Sequence, residues 1–269
     1  MMPFARSTTD CMMDRAHRRI MISGATLAAL IRCLSLIAVA VALFQLRAIS
    51  IAPDNAASAA MSIVRGHHFD VEALRAQANR RDKASPSCAR RRMRHWLIVR
   101  SQLASALMQR ADLDAMDAAM DELDLRSRNL LACYPRDGLG WLTLAWVELN
   151  RTGVSEDTYR KLRNSYAFAP REGWLAAQRN RLILQRFSLM PPDLRDRALV
   201  EFADLMEGRF IDETVATFMS VKPALQAELI GRTKGVSVLW QTKFQQALKR
   251  FGIEVRMPGI AEKPDRPWL

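Results

Sequence analysis

Histidine is scarce in this chain, and so are the spacings that would let it work. The four histidines are His17, His67, His68 and His95. No H-x-x-x-H, C-x-x-C or H-E-x-x-H pattern occurs, so no metal site of ordinary spacing is encoded. His67 and His68 are adjacent loop residues and read as solvated. The glycines are scattered, and none forms the phosphate-cradling loop of a nucleotide-binding fold. A G-x-S-x-G nucleophile elbow is also missing. Eleven glycines and eleven prolines in 269 residues are too few for an all-β chain with many tight turns. These absences leave no enzyme class, cofactor or small-molecule substrate indicated.

Helix formers are abundant: Ala, Leu, Arg, Met and Gln. Apolar residues make up 49% of the chain, enough for a core, so global disorder is excluded and the fold class is all-α. Acids are outnumbered, 28 against 40 basic residues, which gives a net charge of +12. A chain so charged is drawn to polyanions: nucleic acid, anionic lipid or acidic polysaccharide. A general compositional bias toward arginine accounts for the same number without any site.

The one long apolar run is TLAALIRCLSLIAVAVALFQL, Thr26 to Leu46, whose only charge is Arg32. About 20 apolar residues cross a bilayer core as a helix. A charge within a span is costly, but Arg32 lies near the start and helical side chains lean toward the N-terminus, so its guanidinium snorkels to the headgroups. Arg15, Arg18 and Arg19 crowd the N-terminal flank, whereas Arg47 and Arg65 are the only basic residues soon after the span. Positive-inside then puts the N-terminus in the cytoplasm and the C-terminal part outside, which in a Gram-negative bacterium is the periplasm. A cleaved signal peptide is the alternative, with Ala57-Ser58-Ala59 imitating its cleavage site. The run is long for that purpose and ends well before Ala59, which favours an anchor.

Beyond the anchor one short motif occurs twice. CYPRDGLGWLTLAW spans Cys133 to Trp146, and FAPREGWLAA spans Phe168 to Ala177. IAPDNAASAA, from Ile51, is a weaker echo with Pro53 in the place of Pro135 and Pro170. Asp70 caps a short helix carrying Val71, Leu74 and Ala78. A long helix over 89–109 puts Trp96, Val99, Leu103, Ala106 and Leu107 on one stripe. Asp112 caps its antiparallel neighbour, whose stripe is Met116, Ala119, Met120, Leu123, Leu130 and Cys133. Trp141, Leu144, Ala145 and Leu149 share a face of the next helix, and Ser155 caps its partner, lined by Tyr159, Leu162 and Tyr166. Pro170 stops that helix and Trp174 restarts the cycle, which assigns both tryptophans to packing and not to sugar stacking. Pro191-Pro192-Asp193 opens a further helix, Asp212–Met219 forms another, Pro223 starts a short one, and the last runs from Val236 to Gly252.

A period of about 34 residues, with large-x-x-Leu-Ala in its first helix and Pro closing its second, resembles a tetratricopeptide repeat. The likeness covers roughly residues 89–187. It departs from the pattern at Glu148, where a large residue belongs, and at Gln178, where a small one does. The whole arrangement is similar to small anchored proteins of α-proteobacteria with degenerate repeats of this kind, found in loci for surface-polysaccharide synthesis and export. That resemblance implies an N-terminal transmembrane helix followed by a tetratricopeptide-like domain, with a scaffold or accessory role beside protein partners in the inner membrane or periplasm. The chain divides into a cytoplasmic segment 1–25, a span 26–46, a linker 47–69, a periplasmic helical domain 70–252 and a flexible tail 253–269.

Two groups of residues invite a functional reading. Arg75, Arg80, Arg81, Lys83, Arg90, Arg91, Arg92 and Arg94 face a single acid, Asp82. Of these, Arg90, Arg91, Arg92 and Arg94 sit in the first turns of a helix, where the dipole disfavours cations. They form either a solvated helix start or a patch for anionic lipid, an acidic glycan or an acidic partner surface. The acidic run Asp112, Asp114, Asp117, Asp121, Glu122 and Asp124 reads as the outer face of the adjoining helix. A cytoplasmic, basic nucleic-acid binder is the rival from another class; it wants aromatic rings among the basic residues, and only His95 and Trp96 are there. Cys88 precedes one helix of a hairpin and Cys133 ends the other, so a disulfide with Cα atoms about 5–6 Å apart is geometrically reasonable. It closes a loop of some 45 residues and contributes about 2–4 kcal/mol. The alternative is two unpaired thiols. Non-reducing mass spectrometry of the native protein is expected to find Cys88 and Cys133 linked; free thiols at both would remove the bond and weaken the outward topology with it.

Overall fold

The computed structural model describes residues 32–41, 55–67, 69–79 and 88–260. The chain falls into two compact units, Met1–Pro53 and Asp54–Leu269. In the first, residues 32–41 form helix α1, with Leu34, Leu36, Ile37, Val39 and Val41 all exposed. No helix among the described residues is long and apolar enough to cross a membrane. Residues 26–31 and 42–46 of the expected span lie outside the described residues.

The second unit is helical throughout its described part: α2 (Asn55–Val64), α3 (Val71–Asn79), α4 (Arg90–Gln109), α5 (Leu113–Cys133), α6 (Gly138–Arg151), α7 (Glu156–Phe168), α8 (Gly173–Leu184), α9 (Pro192–Glu207), α10 (Ile211–Met219), α11 (Pro223–Arg232) and α12 (Val238–Lys249). The starts follow local chemistry. Asp112 accepts from the Ala115 N–H, Ser155 from the Thr158 N–H, and Pro192 and Pro223 occupy the first turns of α9 and α11. Antiparallel hairpins α2/α3, α4/α5, α6/α7 and α8/α9 follow one another, and α10–α12 close the unit against α8 and α9. One continuous core runs through it, from Leu74 and Leu97 through Leu123, Leu162 and Leu175 to Phe202, Phe218 and Phe244.

Two boundaries are corrected. The segment 47–69 is not wholly a linker, because α2 lies within it and packs on α4. Ala56, Ala59 and Ala60 are buried there, and such small side chains let two helices approach closely. Residues 253–260 are likewise no loose tail. Met257 is buried, Ile253, Val255 and Ile260 pack on the core, and the Gln245 side chain donates to the Val255 carbonyl at 2.8 Å.

The repeated Pro-Arg-acid-Gly has a common geometric cause. A Cβ added to Gly138 would lie 2.5 Å from the Ala169 Cβ, and one added to Gly173 would lie 2.3 Å from the Phe210 ring. In both copies the glycine is where the following inter-hairpin loop comes closest. The proline ends one helix, the acid starts the next, and the glycine admits the neighbouring loop.

The core also contains a charge. Arg179 on α8 is fully buried among α7, α8 and α9. Its guanidinium pairs with Glu201, donates to the Ser165 carbonyl at 3.0 Å and its hydroxyl at 3.1 Å, and lies 3.9 Å from the Tyr166 ring centroid. The Tyr166 hydroxyl donates to Glu201 at 2.9 Å. Burial pushes the Glu201 carboxyl above its ordinary range and the Tyr166 phenol well above its own. Removing one partner leaves the other charge buried and unpaired, so Arg179→Met or Glu201→Leu alone is expected to cost about 3–5 kcal/mol, whereas the double substitution recovers most of the loss. Urea unfolding of the four proteins checks this, and additive losses would show that the two residues act independently.

Candidate functional site: an arginine edge

The first turns of α4, α6 and α8 meet at one end of the second unit, and Arg94 joins them. From α4, its Nη1 lies 3.2 Å from both carboxylate oxygens of Asp137, at the start of α6. Its Nη2 pairs with Glu172, at the start of α8. Arg90 Nε adds a bond of 2.9 Å to Asp137. Asp137 is fully buried, and one of its oxygens also accepts from the Leu139 and Gly140 N–H groups at 3.1 and 3.4 Å. Glu172 makes no such capping bond. The two acids of the repeated motif are thus held by one guanidinium.

The backbone beside this knot is clasped covalently. A disulfide links Cys88 to Cys133, with Cα atoms 5.7 Å apart. The Tyr134 hydroxyl donates to the Cys88 carbonyl, and the Arg90 guanidinium sits 5.8 Å from the Tyr134 ring centroid.

The four arginines singled out in the sequence therefore divide. Arg90 and Arg94 point to buried or half-buried acids. Arg91 and Arg92 make no ion pair among the described residues, and Arg91 is exposed. Of the remaining basic run, Arg75 pairs with Glu72 and Asp112, while Arg80, Arg81 and Lys83 lie outside the described residues. In the acidic run, Asp121 pairs with Arg151, Glu122 with Arg100 and Arg126, and Asp124 with Arg128.

Sequence reasoning overlooked two further members, Arg136 and Arg171. Each is the arginine of a Pro-Arg-acid-Gly copy, immediately before the acid that Arg94 holds. Both are exposed and without an ion pair among the described residues, although Arg136 lies 5.5 Å from the Phe168 ring centroid. The repetition itself was the signal: the acids and glycines turn inward for structural reasons, and the arginine between proline and acid is left outside. Six arginines, at 90, 91, 92, 94, 136 and 171, thus gather around two acids, and the excess charge faces water.

Trp141 needs a correction. Both tryptophans were expected in the packed face. Trp174, partly buried in the first turn of α8, does pack against the core. Trp141, partly buried in the first turn of α6, is not among the side chains packed there. Their neighbours Leu142 and Leu175 are the buried residues. The Trp141 indole N–H donates to the Pro135 carbonyl at 2.8 Å, so its ring lies back over the motif. This assembly can attract and hold anions. Among the described residues no cluster of His, Cys, Asp and Glu could hold a metal ion.

No protein-family model, curated protein or solved structure matches this chain. Its role has to be inferred from its own geometry.

Inner and outer charges should behave differently on substitution. Asp137→Ala strips the buried counter-ion and the α6 cap, an expected loss of about 3–5 kcal/mol. Arg91→Ser and Arg171→Ser are expected to stay within about 0.5 kcal/mol of the parent. Trp141→Ala should cost less than the roughly 3–5 kcal/mol of an emptied core aromatic site. Thermal unfolding of the purified variants checks all four, and a large loss from Arg171→Ser would place that residue in the knot.

Proposed function

We propose that this is a single-pass inner-membrane protein whose helical hairpins form a degenerate tetratricopeptide-like scaffold in the periplasm. Its N-terminus is cytoplasmic, and residues 26–46 are the anchor. It works as a non-catalytic accessory protein beside machinery for surface-polysaccharide assembly or export, presenting its loops and helix faces to protein partners there. The observation that carries the scaffold role is the row of hairpins, whose successive loops bring side chains of one kind to one end. Stacked helical hairpins build extended binding surfaces of this sort. The exposed apolar side chains of α1, inside a 21-residue stretch with one charge, support the anchor. The Cys88–Cys133 bond supports an oxidising compartment for the domain.

Reporter fusions at the C-terminus test the topology. A reporter active only in the periplasm is expected to give signal, and one active only in the cytoplasm is expected to stay silent. The reverse pattern would return the chain to the cytoplasmic nucleic-acid reading. There its association with DNA or RNA should fall steeply as salt rises.

A further inference from the structure

The exposed arginines lie at the end of the second unit where its first helix, α2, begins. Arg110 Nη2 bonds Asp70 at 2.9 Å and Arg100 Nη2 bonds the Ala78 carbonyl at 2.6 Å, so α3 runs antiparallel to α4. The short turn after α2 reverses the chain once more, and α2 points the same way as α4. Arg151 at the end of α6 reaches Asp121, early in α5, and Arg186 after α8 reaches Asn150 near the end of α6 at 3.5 Å. Helices α2, α4, α6 and α8 are therefore parallel, and their N-termini face one way.

We infer that the edge formed by Arg91, Arg136 and Arg171, together with the partly buried Trp141, docks on the anionic phospholipid headgroups of the membrane. This deepens the proposed function and rests on its anchor. Three observations support this, the last two favouring a bilayer surface over a soluble polyanion. The arginines are exposed and free of ion pairs among the described residues, so no ion pair is broken when they meet a phosphate. Trp141 is only partly buried in the first turn of α6, with its indole N–H on the carbonyl of Pro135, the residue before Arg136, and Trp with Arg is the pairing that settles at the headgroup level. Helix α2, the first of the second unit, begins on that side. At the usual contribution of a basic residue near an anionic leaflet, three arginines strengthen docking on the order of a hundredfold.

The full chain, reconstituted into nanodiscs of phosphatidylcholine with or without phosphatidylglycerol, tests the inference by hydrogen exchange over residues 136–141 and 171–175. Exchange several-fold slower in the phosphatidylglycerol discs is expected, with the difference abolished by raised salt and by the R91S/R136S/R171S variant. Equal exchange in both discs, with the chain inserted, overturns the proposal. So does protection that appears only on adding a soluble polyuronate and is indifferent to lipid, which would reassign the arginines to an acidic glycan. If alkaline washing strips the chain from the discs, the anchor has failed separately. Flotation with preformed vesicles then decides the edge: parent floating with phosphatidylglycerol vesicles and variant left behind upholds it, and parent left behind overturns it.

Discussion

The end of the second unit where α4, α6 and α8 begin depends on one guanidinium with two acids to satisfy. Arg94 is 16% exposed, and Asp137 is fully buried. Burying a carboxylate without a partner is prohibitive, so Asp137 fixes where Arg94 and Arg90 must lie. Because Arg94 also holds Glu172, one α4 side chain sets the position of α6 and α8 together. Point charges on flexible stems would do this less well, since the planar guanidinium presents its donors in two fixed directions. The hairpins are thereby tied end to end by polar bonds, not only side to side by apolar burial.

A second buried arginine does comparable work deeper in the core. Arg179 sits where the Leu175–Leu182 stripe of α8 calls for an apolar residue, and it brings Glu201 and Tyr166 in with it. Such a network is poor at adding net stability, because desolvating the ions offsets their attraction. It does forbid alternatives. Any other packing of α7, α8 and α9 would leave three polar groups without partners, and the loss would be large in each case. A hairpin array needs this, because apolar faces of similar size could otherwise slide past one another.

What the sequence revealed and what it hid follow a physical division. Helix starts at Asp112, Ser155, Pro192 and Pro223 were legible because capping is settled within three residues. The all-helical character was legible for the same local reasons. The facing of Trp141 was misread because α6 is surrounded: Leu142, Thr143, Leu144 and Ala145 are all buried in succession, and a helix covered on most sides has no single apolar stripe. Helix α2 was missed because its contact surface is alanine, which carries little periodic signal. The ion pairs of Arg94 and Arg179 span between 22 and 78 residues, a distance over which no spacing rule reaches. Their acids were visible only as letters in a repeat.

That repeat also separates structural from available charge. In Pro-Arg-acid-Gly the backbone turns so that the acid reaches Arg94, fully buried at Asp137 and part-exposed at Glu172. The glycine meets the next loop, while the arginine before the acid stays outside. Arginine at 136 and at 171 is therefore not needed by the packing that repeats the other letters. A loop needing only solubility could place any polar residue there, and the same holds for Arg91 beside the inward-facing Arg90 and Arg94. The disulfide between Cys88 and Cys133 secures the backbone under this cluster independently of the ion pairs, so the outer charges are presented from a joint held in two ways. Rigid presentation reduces the entropy lost when a charged surface is engaged, and it is at such a joint that an exposed arginine contributes most to recognition.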